Sequence, residues 1–421
     1  MRNPDSVDTA RPAPHDSAPT PHSPAGTALL ITAPSLRVVR ELVHRTDDST
    51  LRQQLELVRI PAPPFAEAER GARVLELLRE AGYADAGVDE VGNVIATHPG
   101  AGDGAPVVVA AHLDTVFPAG TDVEPRRDGP RIYAPGITDN SRGLAGMLAV
   151  ARVVRAAGVA TRRPVVFVAS VGEEGAGDLR GVKHLFRDGG PLRSASAFIA
   201  LDGSGMRRIV QRAIGSRRLR AMVSGPGGHS WADRGAANPI VALGAATAEV
   251  STLALPHPER SSLIVARIGG GTSVNAIPDA AWMELDMRSE VDGVLPELEA
   301  SVNGVMERVV AEESGARRTG TEPLAFRVEV IGDRPSGETP PRSELVRTAT
   351  RITAELGARA ELVSSSTDAN VPMALGIPSI AIGVGGDSGG IHTADEWFSN
   401  EGGALGVERA LLIILAMAGT A

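Results

Sequence analysis

From residue 35 onward, the chain alternates amphipathic helical patterns with short apolar runs. SLRVVRELVHRTDDSTLRQQLELVRI and FAEAERGARVLELLREAG repeat apolar residues at helical spacing. The apolar runs are typical of buried strands: NVIATH (93–98), VVVAAHLD (107–114), VVFVASV (165–171), AFIALDG (197–203) and SIAIGVGG (379–386). Because these Val-, Ile- and Ala-rich strands are separated by helices, the pattern predicts an α/β fold with a mostly parallel central sheet covered on both faces.

Residues 215–335 follow a different pattern. The predicted strands there are RRLRAMVSG, SSLIVARIGGG, AWMELDMRS and AFRVEVIGD, and the predicted helices are NPIVALGAATAEVSTLA and LPELEASVNGVMERVVAEESG. Their order, strand–helix–strand–strand–helix–strand, is that of the split βαβ, ferredoxin-like unit. An α/β pattern resumes at ETPPRSELVRTATRITAELG. The simplest organisation is a small α+β domain, 215–335, inserted into a larger domain made of 35–214 and 336–421.

Composition and charge narrow the classes of function. The 421 residues are 43% hydrophobic and 22% charged, which is ordinary for a globular protein. A net charge of −9 argues against a general polyanion binder, and no apolar run approaches the ~20 residues of a membrane span. We therefore expect neither nucleic acid nor membrane as a partner. The chain has no cysteine, which excludes thiol nucleophiles and disulfides and is compatible with the cytoplasmic location we expect.

Two segments are interpreted as having no catalytic role. Residues 1–34 are rich in Pro, Ala, Ser and Asp and lack the apolar core of a secretory signal, so we expect a disordered tail. The segment RRIVQRAIGSRRLR (207–220) carries six arginines without the interleaved aromatic residues of a nucleic-acid site. We interpret it as a solvated surface between the two domains.

Acidic residues and histidines follow the predicted strands at their carboxyl ends, where ligands bind in an open α/β sheet. The candidates are His112 and Asp114 after one strand, Asp139 before a helix, Glu173 and Glu174 after another strand, Asp202, and His392. Taken singly, a histidine at a strand end is usually structural, and an aspartate before a helix is usually an N-cap. Their joint placement, with adjacent carboxylates at 173 and 174, indicates a site where cations offset the negative charge.

The chemistry of these side chains suggests which cations. Imidazoles and carboxylates without a thiolate suit Zn²⁺, Co²⁺ or Mn²⁺. One carboxylate that bridges two ions gives the two-metal arrangement of aminopeptidases and phosphatases. A glutamate next to a ligand is well placed to take a proton from metal-bound water, which would give Glu173 and Glu174 different roles.

The chain resembles the co-catalytic dizinc peptidase and deacylase family that includes peptidase T, carboxypeptidase G, aminoacylase and succinyl-diaminopimelate desuccinylase. The resemblance covers residues from about 50 to 421 and is carried by AAHLDTVFP, GITDNSRGLAGMLA, VGEEGAG, LDG, GPGGHSW, GGGTSVNAIPDAAWMELDMRS, SSSTDANVP and GGIHTADEW. It implies a phosphorylase/hydrolase-like catalytic domain. The inserted ferredoxin-like domain would be the lid and dimerisation domain of the family.

The resemblance also implies two Zn²⁺ ions per subunit, with Co²⁺ or Mn²⁺ as alternatives. Each ion would have three side-chain ligands with one carboxylate shared: His112, Asp139 and Asp202 for the first, and Asp139, Glu174 and His392 for the second. A cis peptide bond between Asp139 and Asn140 is implied as well. Two departures are the sequence Ser-Arg-Gly (141–143) in place of Lys-Gly-Gly, and Asp202 where carboxypeptidase- and desuccinylase-like members tend to have glutamate. Aspartate is commoner in the peptidase T and dipeptidase branches, which favours a small peptide as substrate.

The resemblance also implies roles for residues that would act on the substrate or orient a metal ligand. Glu173 would be the general base, and Asp114 would orient the neighbouring ligand histidine through its other ring nitrogen. His229, in GPGGHSW, matches a histidine that in several members reaches the partner subunit's active site and stabilises the oxyanion. Asn275 and Arg288 match substrate-binding positions, and the guanidinium fork of Arg288 suits a carboxylate. The structural alternatives are that His229 is a loop histidine capped by its neighbours and that Arg288 is a surface arginine.

A second motif points to a different mechanism. GDSGG (386–390), with AAH (110–112) upstream, matches a chymotrypsin-type serine protease. Such proteases are antiparallel β-barrels, whereas the strands here alternate with helices. A serine mechanism also leaves the carboxylates at the strand ends unexplained. We therefore expect Ser388 to be a loop residue.

The sequence predicts a dizinc metallopeptidase that hydrolyses an amide bond of a small peptide, as a dipeptidase or tripeptidase does, through a metal-bound hydroxide with Glu173 as general base. An N-acyl amino acid deacylase of the same family is the alternative with the same chemistry. A non-catalytic binding protein that kept the fold is the alternative from another class, although all ligand positions are filled. The resemblance further implies a homodimer through the inserted domain.

Overall fold

The computed structural model describes residues 34–318 and 320–420. The predicted disordered tail lies outside these residues, except that its last position, Pro34, is the first residue of a helix. The α-helices of the described chain are Pro34–Arg45 (α1), Asp47–Val58 (α2), Ala68–Glu80 (α3), Ser141–Ala156 (α4), Arg180–Phe186 (α5), Pro239–Val250 (α6), Val294–Ala316 (α7), Glu344–Glu355 (α8), Asn370–Ala374 (α9) and Gly403–Ala418 (α10).

The strands belong to a central sheet, a second sheet and smaller ribbons. The central sheet contains Gly87–Val88 (β1), Val94–His98 (β2), Val107–His112 (β3), Val165–Ser170 (β6), Ala197–Leu201 (β7), Arg208–Ala213 (β8), Gly337–Glu338 (β15), Glu361–Ser365 (β16) and Ser379–Ile382 (β17). The second sheet contains Gly215–Ser224 (β9), Ser261–Gly270 (β11), Ala280–Ser289 (β13) and Ala325–Arg334 (β14). The remaining strands are Arg126–Asp128 (β4), Arg131–Tyr133 (β5), Gly228–His229 (β10), Ala276–Ile277 (β12), Asp387–Gly389 (β18) and Trp397–Ser399 (β19).

The central sheet has the order β1-β2-β6-β3-β7-β17-β8-β15, with β16 also paired to β8. Strands β6, β3, β7 and β17 run parallel, so the predicted α/β fold with a parallel centre is confirmed. Outside this centre the sheet also contains antiparallel pairs, because β2 pairs antiparallel with β1 and β6, and β8 pairs antiparallel with β17. Between β1 and β2, the Asp89 carboxylate accepts backbone N–H groups of residues 91–93, and such a tight turn joins antiparallel strands.

Strand β3 shows why the apolar runs are continuous. Every residue of β3 is buried. Val107 and Val109 belong to the core under α4 and α10, whereas Val108 belongs to the opposite core, which includes residues of α5. A sheet with helices on both faces has no solvated side, so polar residues do not alternate along its strands. Polar side chains appear only where the strand ends.

Residues 215–334 form a second sheet with a core of its own. The order is β11-β13-β9-β14, and all neighbouring strands are antiparallel. With α6 between β9 and β11, and α7 between β13 and β14, the chain follows the split βαβ order. Leu219, Leu285 and Val302 belong to the core between this sheet and its helices, which is separate from the cores of the central sheet.

Two local features differ from the sequence pattern. The predicted continuous helix over 35–60 is divided at Thr46 into α1 and α2. Asp47 and Asp48 occupy the first turn of α2, where negative charge is favourable because of the helix dipole. The small sheet β18-β19-β5-β4 was not predicted, because strands of three residues are too short to show an alternating pattern. Among the described helices, none has the length and apolar character that crossing a bilayer requires.

Candidate metal centre

Polar side chains from separate loops meet at the carboxyl edge of the central sheet. His112 ends β3, Glu173 and Glu174 follow β6, and Asp202 follows β7. Asp139 lies just before α4, and His392 lies between β18 and β19. All of these side chains line one cleft of about 840 Å³. The convergence predicted from the strand ends is therefore present in the structure.

Asp139 lies between two groups of candidate ligands. Its Oδ1 is 3.0 Å from Nε2 of His112, and that nitrogen is 3.9 Å from Oδ1 of Asp202. Its Oδ2 is 3.0 Å from Nε2 of His392, and that nitrogen is 3.1 Å from Oε1 of Glu174. The two carboxylate oxygens of Asp139 thus face different partners, with the same division that the family pattern implies.

The surroundings of Asp139 fit metal ions. Its Oδ1 is buried and has no hydrogen-bond partner among the described residues, although Nε2 of His112 is only 3.0 Å away. Ligand atoms of His112, Asp139 and Glu174 all lie within 4.8 Å of one another. A buried oxygen and an imidazole nitrogen that face each other without a hydrogen bond are arranged as two ligands of one ion. Nitrogen and carboxylate ligands of this kind suit Zn²⁺, Co²⁺ or Mn²⁺.

The pKa values show how strongly these groups interact. Hydrogen bonds to Asp139 and Glu174 raise the pKa of His392 to about 10. Burial, and then the charge of Asp139, raises the pKa of Asp202 to about 7. Burial alone would raise the pKa of Asp139, but contacts with both histidines hold it well below its ordinary value. A histidine ligand binds a metal ion in its neutral form, so a raised pKa of His392 makes protonation compete with metal binding.

Asn140 ties Asp139 to the strand that precedes Asp202. The peptide bond between Asp139 and Asn140 is cis, as the family resemblance implies. The side chain of Asn140 caps α4, accepts the N–H of Gly203 at 3.2 Å and donates to the carbonyl oxygen of Leu201 at 3.0 Å. The beginning of α4 is therefore bonded to the end of β7, which keeps the two candidate carboxylate ligands close together.

Asp114 contacts both the ring of His112 and the loop of the two glutamates. Its carboxylate is 3.7 Å from Nδ1 of His112, whereas its backbone oxygen is 3.0 Å from that nitrogen. The backbone of Asp114 is therefore the closer partner of the histidine ring. The carboxylate accepts the backbone N–H groups of Glu173 at 2.9 Å and Glu174 at 2.7 Å. Because both of its oxygens are engaged in this way, the carboxylate positions the loop of the two glutamates while it also lies beside the imidazole of His112.

Arg334 is a site residue that no sequence motif indicates. Its Nη1 is 3.1 Å from Oε1 of Glu173, and its Nη2 donates to the backbone oxygen of the same residue. Both side chains are buried. Burial raises the pKa of Glu173 well above its ordinary value, against the opposing charge of Arg334. Because Arg334 ends β14, it reaches this position only because the end of that strand lies against the loop that follows β6.

Glu396 is a second residue that the sequence analysis missed, and it positions the loop that carries Asp139. It is fully buried, and its carboxylate accepts the backbone N–H groups of Gly136 at 2.9 Å, Thr138 at 2.8 Å and Asp139 at 3.1 Å. Burial raises the pKa of Glu396 to about 7. Its place in GGIHTADEW, four residues after His392, is the signal that could have identified it.

The predicted substrate residues fall in two places. Arg288 lines the cleft, whereas His229 and Asn275 are exposed and are not part of its lining. These two residues lie in neighbouring segments, because β10 pairs with β12 and the N–H of Ser230 donates to the backbone oxygen of Asn275 at 3.0 Å. Within one subunit, the structure therefore brings His229 and Asn275 together but not into the metal centre.

Ser388 is not arranged for nucleophilic catalysis. Its hydroxyl lies 2.6 Å from the hydroxyl of Ser204, and no described histidine makes a hydrogen bond with it. A serine nucleophile requires a base within hydrogen-bond reach. Ser388 belongs to β18, so the expectation that it is a loop residue is wrong. The geometry gives no support to the serine protease alternative.

Comparisons with known proteins point to one family. A model of the peptidase family M20/M25/M40 matches residues 108–416. Among curated proteins, the succinyl-diaminopimelate desuccinylase of Corynebacterium glutamicum is 26% identical over 348 residues, which cover 81% of this chain and 89% of that protein. The family match spans the candidate ligands from His112 to His392.

Solved structures share the fold. Aminopeptidase PepT of Bacillus cereus has a TM-score of 0.70 at 24% identity, over 89% of this chain and 99% of that one. A tripeptidase of Staphylococcus aureus has a TM-score of 0.69 at 22% identity, over 88% and 97% of the two chains. A dinuclear metal-binding peptidase of Bacillus subtilis has a TM-score of 0.64 at 18% identity, over 90% and 100%. At these identities, the likeness establishes the fold.

Proposed function

Because the chain belongs to the peptidase family M20/M25/M40 and is a metal-dependent hydrolase, we propose that it cleaves an amide bond of a small peptide with Glu173 as the general base. The observation that carries the proposal is the position of Asp139, whose two oxygens each lie 3.0 Å from a different histidine. A carboxylate shared in this way suits two ions that act together on one substrate.

Two Zn²⁺ ions are the proposed occupants, with Co²⁺ or Mn²⁺ as alternatives. The first would be held by His112, Asp139 and Asp202, and the second by Asp139, Glu174 and His392. When bound, the ions supply Lewis acidity, which polarises the scissile carbonyl and lowers the pKa of a nearby water. Proton transfer and substrate binding are left to the side chains of the protein.

Glu173 is proposed to take a proton from the attacking water and to return it to the leaving amine. Arg334 holds Oε1 of Glu173, which leaves Oε2 for the proton. Burial raises the pKa of Glu173 well above its ordinary value, which makes its carboxylate a stronger base. Asp114 fixes the backbone of Glu173. These contacts support a proton carrier that is held in place beside the proposed ligands.

His229 is proposed to donate a hydrogen bond to the oxyanion in the active site of a partner subunit. Its Nδ1 accepts the N–H of Trp231 at 3.1 Å, so the proton of the neutral ring is on Nε2, which is then a donor. The residue is exposed and lies outside the cleft of its own subunit. This position supports a homodimer in which residues 215–335 act as the inserted lid and dimerisation domain.

Mixing two inactive variants tests the role of His229. Each hybrid dimer of His229→Ala and Glu173→Gln subunits would contain one site with an intact base and an intact partner histidine. Random exchange is expected to restore about a quarter of the wild-type activity, because half of the dimers are hybrids with one working site each. The rate after mixing and subunit exchange is the measurement. If His229 acts within its own subunit, the mixture stays inactive.

A small peptide is proposed as the substrate because the structural neighbours include an aminopeptidase and a tripeptidase. An N-acyl amino acid deacylase is the second candidate. It is favoured by the relative named succinyl-diaminopimelate desuccinylase, at 26% identity. A non-catalytic binding protein would need no group that carries protons. The buried carboxylate of Glu173 beside the proposed ligands therefore favours an enzyme.

A substrate panel with defined metal loading tests the proposed function. Protein freed of metal and reloaded with Zn²⁺, Co²⁺ or Mn²⁺ is assayed on dipeptides, tripeptides and N-acyl amino acids. Cleavage is expected only after loading, and a chelator should abolish it, whereas a serine-directed covalent inhibitor should have no effect. Activity that survives the chelator but not the serine reagent would contradict the proposal. Cleavage of N-acyl amino acids alone would favour the deacylase.

A further inference from the structure

A fully buried arginine follows the proposed bridging ligand in the chain, and the proposed amide hydrolysis does not use it. Arg142 is the second residue of α4, three residues after Asp139, and it belongs to the Ser-Arg-Gly departure from the family pattern. Burial lowers the pKa of Arg142 to about 10, so its guanidinium is still charged at neutral pH. A buried charge is costly unless hydrogen bonds compensate for it, so the groups that bind this guanidinium are expected to be well fixed.

The hydrogen bonds of Arg142 close the base of the hairpin that carries His392. Strands β18 and β19 pair antiparallel, and His392 lies in the connection between them. Nη2 of Arg142 donates to the backbone oxygen of Val384, which precedes β18, at 2.6 Å, and to that of Gly403, which follows β19, at 2.8 Å. Nε donates to the oxygen of Val384 as well, at 3.0 Å. One guanidinium group therefore joins the segments that enter and leave the hairpin.

The same guanidinium is connected to the loop that carries Asp139. Nη1 of Arg142 donates to Oε1 of Gln54 at 3.4 Å, and Nε2 of Gln54 donates to the backbone oxygen of Ile137 at 2.8 Å. Gln54 is itself fully buried. Ile137 lies two residues before Asp139, and Arg142 lies three residues after it. Arg142 is therefore linked to this loop on both sides of Asp139, on one side by the chain and on the other by a buried amide.

His392 depends on the hairpin for its position. Its side chain is 50% exposed, so few neighbours pack around it. Its φ is +66°, a conformation that is uncommon for residues other than glycine and persists only where the surrounding structure holds it. The pairing of β19 with β5 holds one strand of the hairpin, whereas Arg142 holds both of its ends. A change at Arg142 is therefore expected to move His392 relative to Asp139.

We propose that Arg142 is a positioning residue, which sets the place of His392 relative to Asp139 and thereby the affinity for the metal ion proposed between them. The inference rests on the proposed function and concerns one of its two ions. The other ion has His112 and Asp202 as its remaining proposed ligands, and neither of them lies on the hairpin. Loss of Arg142 should therefore weaken the binding of one ion and spare the other.

Calorimetric titration of the metal-free protein with Zn²⁺ tests the proposal. Arg142→Met replaces the side chain by an unbranched apolar one and removes its charge and its donors. One of the two binding steps is expected to weaken about 10-fold, at the lower end of the effect of losing an outer hydrogen-bond partner of a metal site, and the other step should be unchanged. Arg142→Lys keeps the charge but lacks the rigid fork that reaches two backbone oxygens, so its loss of affinity should be intermediate.

A double-mutant cycle with His392→Ala separates positioning from a general structural role. Because Arg142 is proposed to act through His392, Arg142→Met should cause no further loss of metal affinity in a protein that already lacks this imidazole. Equal losses with and without His392 would show that Arg142 only stabilises the fold, and they would overturn the inference. Unchanged metal affinities in Arg142→Met would overturn it as well.

Arg152→Met is the matched control. Arg152 is another arginine of α4, but it donates to Gln53 at 2.6 Å and to Thr50 at 3.3 Å, and it does not line the cleft. Both binding steps should be unchanged in this variant. If Arg142→Met fails to fold, Arg142→Lys decides, and wild-type affinity at both steps in that variant would overturn the inference. A wild-type protein that binds fewer than two ions would instead contradict the proposed function itself.

Discussion

Glu173→Gln is expected to lose about 100- to 10,000-fold in kcat while it still binds two metal ions, because the variant removes a general base and no proposed ligand. Glutamine has the shape of glutamate but cannot take up the proton. It also keeps a carbonyl oxygen that can accept the hydrogen bond from Arg334, so the buried arginine does not lose its partner. Steady-state kinetics together with metal analysis of the purified variant measure both effects.

Glu361→Gln is the matched control for this variant. Glu361 also lines the cleft, but it pairs with Arg207 at the rim and is not placed in the metal centre. Its removal should change kcat by less than about twofold, as expected for an exposed ion pair. Near-wild-type turnover in Glu173→Gln would show that another group moves the proton. Loss of metal from Glu173→Gln would show that Glu173 is a ligand.

Asp139→Asn is expected to lose both ions and all measurable turnover. An asparagine side chain offers one neutral oxygen where the two oxygens of Asp139 face His112 and His392, so it cannot serve two ions. The affinity for metal should fall by more than the roughly 10- to 100-fold that loss of a hydrogen bond to a ligand typically costs. Calorimetric titration of the metal-free protein with Zn²⁺, alongside kinetics, measures the change.

Asp128→Asn, in the exposed strand β4, controls for the loss of one carboxylate that does not line the cleft. It should bind two ions with wild-type affinity. If Asp139→Asn retained one ion at full affinity, Asp139 would be a ligand of the other ion only and the bridge would not exist. If it retained two, the assignment of the whole site would be contradicted.

The positions of the candidate ligands could be predicted from the sequence because strand ends are easy to locate. A buried parallel strand such as β3 is a continuous apolar run, and the polar residue that ends it, His112, stands out. Parallel strands bring their carboxyl ends to one edge, so residues distant in sequence can be placed together without knowledge of the helices. The same reasoning located Glu173, Glu174 and Asp202.

The contacts that hold these residues could not be predicted. Arg334 reaches Glu173 only because the end of β14 lies against the loop that follows β6, and nothing in its own segment indicates this. Asp114 was expected to orient His112, but the sequence did not indicate that its carboxylate also accepts two backbone N–H groups, whose positions depend on the conformation of a loop. Hydrogen-bond partners of this kind are set by tertiary packing, which a pattern along the chain does not encode.

The positions of charged surface residues were the least predictable part of the structure. The arginines of 207–220 belong to two strands in two different sheets, β8 and β9. Whether an arginine lies on an outer surface or in a cleft depends on which end of its strand it occupies and on the direction of the neighbouring strand. For Arg208, which lines the cleft, the antiparallel pairing of β8 with β17 decides this, and the prediction of a mostly parallel sheet did not say which strands would be antiparallel.

Anomalous diffraction from crystals grown with Zn²⁺, recorded at the zinc absorption edge, tests the central claim most directly. We predict two peaks about 3.5–4 Å apart, one between Asp139 and His112 and the other between Asp139 and His392. A single peak, or zinc bound only away from Asp139, would contradict the claim that this carboxylate joins two metal ions.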